Sequence, residues 1–481
     1  VFVFHRGGVS FADTQSENQQ RGHAALLRLF PDYDWVVQQH VAADPAARLR
    51  FAGELALVRD SGLPVVLMVS HGRGGGSQQH VCELAKALQG QAHVYSLQPQ
   101  GKTLALCSMA DDGQRATLYF APEQDFDLLL DTLKQLGVGH VHFHHVIDLP
   151  EPVLRLPELL ACQYDVTIHD YYLACPQVTL TDAQGRYCGA PDEAGCNSCL
   201  QERPVEGAGD IAGWRDSHAV LLAGAERVFV PSADTLQRIS GYFPQITRWV
   251  LAQHEPALQQ AAPQGAAVGQ NEPMRVLVLG ALSTFKGADM LEAVALQARS
   301  QGLPLEFHLL GYGYRNLRSW PVSALHVHGA YQQDALPGLI EGIRPHVVWF
   351  PGNCPETWSY TLSAALQAGL PVIATQTGAF VERLQGRAWS WLQPLNSDVA
   401  SWQQALLAVR QALLEQQPPQ PPQLLVRSGN GAGFVYARDY LASLGGASGA
   451  DATETAGAGD SPDAWRHLHA RWQQLDAQPE T

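Results

Sequence analysis

Twice in this chain a short apolar run empties into a glycine-bearing loop and then into a helix, and that recurrence limits the fold more than any other feature. The first run, Pro64 to Ser70, carries no charge and leads into His71-Gly72-Arg73-Gly74-Gly75-Gly76, then a helix with Val81, Leu84, Ala85 and Leu88 on one side. The second, Arg275 to Leu279, leads into a loop over 280–287 and a helix from Ala288 to Ala298. An uncharged strand suits burial on both faces, which a sheet covered by helices on both sides provides. Strand and helix signals alternate after the first run at 92–97, 116–120, 126–136, 141–143, 165–168, 219–222 and 227–230. After the second they continue at 305–310, 325–327, 336–343, 347–350, 360–368, 371–374 and 399–414. This βα alternation predicts an α/β chain of two doubly wound, parallel-sheet, Rossmann-like domains in tandem, with a cleft between them.

The punctuation sets the boundaries. The first domain spans 61–255 and contains a cysteine-rich insertion at 171–203; a Gln-, Ala-, Gly- and Pro-rich linker covers 256–273; the second domain spans 274–425. A closing helix is expected within 426–445, read at Phe434–Leu444, and the Gly/Ala/Ser/Thr run beyond it makes 446–481 a flexible linker with a short Trp-rich helix. Residues 1–60 begin with an alternating strand, Val1 to Phe4, followed by helical stretches at 24–30 and 46–58. A start without Met or a basic-then-apolar leader reads as a cut through a longer polypeptide rather than as a signal peptide.

Charge and hydropathy remove several function classes. The 481 residues carry 31 Lys and Arg against 46 Asp and Glu, a formal net charge of −15, which speaks against nucleic acid or anionic lipid as a broad partner. No uncharged apolar run approaches the ~20 residues that span a bilayer, so a soluble chain is expected. Eight cysteines without a leader point to a reducing, cytoplasmic compartment, where clustered thiols are more often metal ligands than disulfides.

Five loci carry candidate chemistry. Gly74-Gly75-Gly76 sits between a buried strand and a helix start, where backbone N–H groups can approach an anion; the full G-x-G-x-x-G fingerprint is broken by Ser77, which disfavours a nicotinamide enzyme, and a plain tight turn is the other reading. Lys286, in a loop after a buried strand, can neutralise a diphosphate leaving group. The run Cys354-Pro355-Glu356-Thr357-Trp358-Ser359-Tyr360-Thr361 lies between a strand end and a helix start, where open α/β sheets bind ligands. Cys175, Cys188, Cys196 and Cys199 form C-x12-C-x7-C-x2-C, a spacing that predicts a structural tetrahedral zinc; small buried or redox-labile thiols are the alternatives. His142, His144 and His145 alternate across a strand, which scatters them and weakens a metal reading; hydrogen bonding to an acceptor or a structural role remain.

Taken together, Pro355-Glu356-x-aromatic, Ala368-Gly369-Leu370-Pro371-Val372, Lys286-Gly287, His169 in Thr167-Ile168-His169-Asp170, and the Gly75-Gly76 loop ahead of a helix with His80 and Leu84-Ala85 resemble the family-4 GT-B glycosyltransferases over residues 61–445. The resemblance implies a nucleotide-sugar donor in the second domain, a glycan or lipid-linked glycan acceptor on the first, retention of anomeric configuration and no catalytic metal. It implies roles too: Glu356, Lys286 and His169 as catalytic residues, Gly75, Gly76, Thr357, Ser359, Tyr360 and Thr361 around the donor, and His144, His145, Asp170 and Tyr171 on the acceptor side. Two positions depart from the pattern. Ala364 stands where a ribose-binding Glu is usual, and Ala281 where an Arg is usual. A faint second likeness links Val3-Phe4-His5-Arg6-Gly7-Gly8, Phe30-Pro31-Asp32-Tyr33 and Asp44-Pro45 to the closing segment of family-2 GT-A glycosyltransferase domains, which implies an upstream GT-A-like domain in the same polypeptide, with 1–60 as its tail. The reading is a transferase of polysaccharide or O-antigen-type assembly, cytoplasmic or peripheral to the inner membrane face. The alternatives are a weakened GT-B domain serving as a glycan-binding scaffold, and a GT-B-shaped nucleotide-sugar epimerase, for which no acid/base pair stands out.

Overall fold

The computed structural model describes residues 15–110, 117–255, 258–423 and 433–442; the expected strand at Val1–Phe4, His5 and the segment 446–481 lie outside them. Three helices open the described chain, α1 (Gln15–Leu29), α2 (Tyr33–Ala43) and α3 (Ala47–Ser61). The apolar periodicity of α3 places Phe51, Leu55 and Val58 in the core of the first domain, and its buried Glu54 accepts a hydrogen bond of 2.6 Å from the Tyr95 hydroxyl. Helix α2 has no sequence signal of comparable strength and buries no residue.

The first domain continues with β1 (Val65–Val69), α4 (Gly76–Ala87), β2 (His93–Gln100), β3 (Thr103–Ser108), β4 (Thr117–Phe120), α5 (Phe126–Leu136), β5 (Val138–Phe143) and two single-turn helices, α6 (Glu151–Leu154) and α7 (Leu156–Leu159). It closes with β6 (Gln163–Thr167), α8 (Glu193–Glu202), α9 (Ile211–Gly224), β7 (Arg227–Val230), α10 (Ala233–Tyr242) and β8 (Trp249–Leu251). Its eight strands lie in the order β4-β3-β2-β1-β5-β6-β7-β8. Every residue of β1 is buried, as its lack of charge predicts. The sheet is not wholly parallel: β3 runs antiparallel to β2 and β4. Only Gly101 and Lys102 separate the paired Gln100 and Thr103, and a two-residue connection can join strands only as a hairpin, with Gly101 supplying the left-handed φ of 61°. The signal read at 219–222 belongs to a helix, α9.

The second domain contains β9 (Met274–Leu282), α11 (Ala288–Gln301), β10 (Leu305–Gly313), β11 (Leu325–Gly329), α12 (Leu336–Ile343), β12 (Val347–Phe350), α13 (Tyr360–Gln367), β13 (Val372–Thr375), α14 (Ala379–Arg383), β14 (Ser390–Gln393) and α15 (Val399–Glu415). Its strand order, β11-β10-β9-β12-β13-β14, is 3-2-1-4-5-6 by chain position, the doubly wound order, and every adjacent pair is parallel. The described part of the linker is tied to this domain, with the amides of Ala261 and Gln264 donating to the carbonyls of Leu366 and Gly369.

The chain then returns to the first domain. The expected closing helix is a single turn among the described residues, α16 (Tyr436–Asp439), and beside it Tyr440 is fully buried. The Tyr440 hydroxyl hydrogen-bonds His142 Nδ1 at 2.9 Å, and its carbonyl accepts from Arg227 at 3.1 Å. Tyr440→Ala is expected to lower the unfolding free energy by about 3–5 kcal/mol, the usual cost of truncating a buried aromatic ring, while Tyr440→Phe costs about 1–2 kcal/mol because only the hydroxyl is lost. Denaturant titration of the two variants checks the ranking.

Candidate functional site

In a doubly wound sheet the strand order reverses where neighbouring strands send their helices to opposite faces, and the crevice left at the carboxyl ends receives ligands. In the second domain that point lies between β9 and β12, so it is flanked by the Lys286 loop and the Glu356 loop. In the first domain it lies between β1 and β5, flanked by the Gly74–Gly76 loop and the His144–His145 strand end. The two crevices face each other and enclose a cavity of about 570 Å³.

The residues singled out for the donor all reach this cavity: Gly75, Gly76, His169, Lys286, Glu356, Thr357, Ser359, Tyr360 and Thr361 line it. Lys286 Nζ stands 3.6 Å from Glu356 Oε1, and the carboxylate is the main cause of the ammonium's raised pKa. Backbone geometry fixes Glu356. Its carbonyl accepts from Ala379 N at 2.8 Å, and a Cβ on Gly378, at φ 61°, would sit 2.5 Å from the Glu356 backbone, so this close approach requires glycine. Arg383 of α14 donates to the carbonyls of Trp358 and Ser359 at 2.9 and 2.8 Å, with its guanidinium 3.9 Å over the Trp358 ring. Ser359 then caps α13, accepting from Leu362 N at 3.2 Å. Ala364, one turn on, does not line the cavity; it packs into the apolar cluster of Leu336, which does.

Across the cleft, Asp170 and Tyr171 line the cavity, whereas His144 and His145 stand behind its wall. They support what is in front: His144 Nδ1 is 3.1 Å from His169 Nε2, and His145 Nε2 is 3.0 Å from an Asp170 oxygen. The alternation expected for the strand holds, since His142 and His144 share a face with ring centroids 4.2 Å apart while His145 leaves it.

The cysteine insertion gathers its four thiols into one neighbourhood. Burial, then the proximity of Cys188, Cys196 and Cys199, pushes the Cys175 thiol up to about 11, and Arg215 donates to Cys196 Sγ at 3.5 Å. Among the described residues no group of three or more His, Cys, Asp or Glu is placed to hold a metal ion. No helix among them is long and apolar enough to cross a membrane.

Two groups at the cavity escaped sequence reasoning. His254 follows β8 in no recognisable motif, is 2% exposed, lines the cavity and stacks on His80 with centroids 3.8 Å apart. Glu83 of α4 accepts from the Tyr360 hydroxyl at 3.0 Å, one of several bonds between the domains. Burial, reinforced by Glu255, lifts its carboxyl to about 7.

Compared with protein-family models the chain matches none, and no curated protein matches it. Among solved structures it is similar to HepE of Anabaena in complex with UDP (13% identity, 74% of this chain and 91% of that one, TM-score 0.45). It is also similar to sucrose-phosphate synthase of Thermosynechococcus elongatus (14%, 86% and 99%, TM-score 0.46) and to the lipopolysaccharide outer core galactosyltransferase WaaB in its apo form (10%, 73% and 91%, TM-score 0.45). At such scores these likenesses add nothing to what the two sheets and their cleft establish directly.

Glu83 yields a prediction with a definite sign. A carboxyl whose folded pKa is raised from 4.5 to about 7 contributes stability that is complete at low pH and is lost as pH rises through 7. Glu83→Gln removes that loss, so the variant should gain stability relative to wild type between pH 6 and pH 8. Urea unfolding at both pH values measures the difference, which isolates Glu83 from the other titrating groups.

Proposed function

We propose that this chain is a retaining glycosyltransferase that takes a sugar from a nucleotide-sugar donor bound in the second domain and passes it to a glycan or lipid-linked glycan acceptor on the first. The observation that carries this reading is the convergence of Lys286, Glu356 and the starts of α4 and α13 on one cavity at the facing switch points of two doubly wound sheets. When the bond from the anomeric carbon to the diphosphate breaks, negative charge gathers on the leaving oxygen. Lys286 and the N-terminal amides of α13, pointing where that charge develops, stabilise it. Glu356, held by Ala379 and Gly378, is fixed to receive donor-sugar hydroxyls, and His169 meets the sugar from the opposite wall. Retention follows from attack on the face the diphosphate leaves, with a phosphate oxygen taking the acceptor proton, as the family resemblance implies.

A second reading is favoured by two features: the site's cation is partly satisfied by Glu356, and Ala281 and Ala364 stand where the family resemblance leads one to expect an Arg and a carboxylate. Here the chain binds a nucleotide or glycan without turnover. Release of nucleoside diphosphate from a panel of UDP-, GDP- and ADP-sugars, with and without added glycan, decides between them. The half-exposed side chain of Lys286 contributes little to the core, so Lys286→Ala should slow release about 10²–10³-fold with its melting temperature almost unchanged. An unchanged rate removes Lys286 from the site. Binding of the diphosphate without release from any donor favours the binding module.

A further inference from the structure

Resting on the donor-site reading, the question is where the positive charge for a diphosphate comes from. Among the described residues lining the cavity, Lys286 is the cation; it pairs with Glu356, and Asp170 is a second acidic residue on the lining. That balance is negative before any anion enters. The opposite wall, however, holds His254, on the same cavity as Gly75, Gly76 and the start of α13, with His80 stacked directly behind it. Both are 2% exposed, and all four of their ring nitrogens lack a hydrogen-bond partner. Buried polar atoms left unpaired are costly and uncommon, and a stacked pair with four of them, one of its rings on the cavity wall, points to a ligand that supplies a partner there.

We propose that the His80–His254 pair is the proton-accepting half of the diphosphate site: as the anion binds, the pair takes one proton from solvent and supplies the counter-charge that the chain lacks in Lys or Arg. The lone pair of an imidazole nitrogen forms the new N–H bond, that N–H donates to a phosphate oxygen, and the proton returns to solvent when the diphosphate leaves. Without the anion the pair stays neutral. Burial holds the His80 imidazole down to about 3, and burial, then His80, His169 and the Arg383 guanidinium, hold His254 well below its usual value. The groups facing the pair are consistent with that resting state. His144, His169 and Tyr436 pack around His80, and His169, Trp358 and Tyr360 pack against His254; two carboxyl groups stand near the pair, Glu83 one turn along α4 from His80, accepting from Tyr360, and Glu255 next to His254 in the chain, accepting from Trp358 and Ser363. A bound diphosphate adds two or more negative charges beside a buried pair, where charges interact more strongly than in bulk water.

The test is calorimetric titration with UDP, and with GDP and ADP in parallel, at pH 8 in buffers of different ionisation enthalpy. At that pH the terminal phosphate, whose second pKa is about 6, is already ionised, so any proton gained is gained by the protein. Wild type is expected to take up about half to one proton per diphosphate bound. His254→Phe and His80→Phe, which keep a stacking ring, should abolish the uptake and weaken binding about tenfold or more. Glu83→Gln should leave the uptake in place. Binding by wild type without uptake, uptake that survives both Phe variants, or uptake lost with Glu83→Gln overturns the inference while leaving the donor site standing. Failure of all three nucleotides to bind overturns the donor-site reading and this inference with it.

Discussion

The Thr357 hydroxyl donates to the carbonyl of His169, 2.6 Å away, and that bond ties the helix start of one domain to the strand end of the other. Three further hydrogen bonds join the domains in the same way. Tyr360 reaches Glu83, and the Glu382 carboxylate accepts from the amides of Ala233 and Asp234 at the start of α10. Each joins a loop or helix end of the second domain to the first; the Thr357 and Tyr360 bonds lie at the cavity, and the Glu382 bonds lie beyond it. The facing of two carboxyl-end crevices is thus set by a few polar contacts between otherwise separate cores. Those separate cores are visible in the packing: the first domain's two clusters lie on either side of its sheet, as do the second domain's two.

Burial at these contacts has electrostatic consequences. Glu83 and Glu382 are both lifted to about 7, first by burial, so both interdomain carboxyls titrate near neutrality. The histidine wall is shifted the other way by the same cause, because desolvation disfavours whichever form is charged. Among the described residues lining the cavity, the second domain therefore brings Lys286 as a cation to a cleft whose opposite wall holds imidazoles that burial keeps neutral.

The positioning of Glu356 shows how much of the site is backbone. Gly378 admits the close approach, Ala379 holds the carbonyl, Arg383 gathers the carbonyls of Trp358 and Ser359, and only then does α13 begin, with its cap on Ser359. Arg383 lies in a five-residue helix that sequence periodicity does not reveal. Its guanidinium, held down to about 10 by burial, is nonetheless the positive group nearest the loop's carbonyls.

The sequence alone determined the two doubly wound domains, the loops at their switch points, and Lys286, Glu356, Gly75 and Gly76 as the residues those loops present. These features follow from local causes: uncharged strands must be covered on both faces, glycines mark tight strand-to-helix turns, and loops after parallel strands gather at one sheet edge. Tertiary structure alone decided that Gly101 and Lys102 turn β3 back as an antiparallel strand, that Tyr440 crosses to His142, and that His254 stacks on His80. Residues 80 and 254 are separated by most of a domain, and 142 and 440 by nearly 300 positions. Their meeting is fixed by how the sheets wind and by which side chains fill the space between them, and neither leaves a periodic trace along the chain.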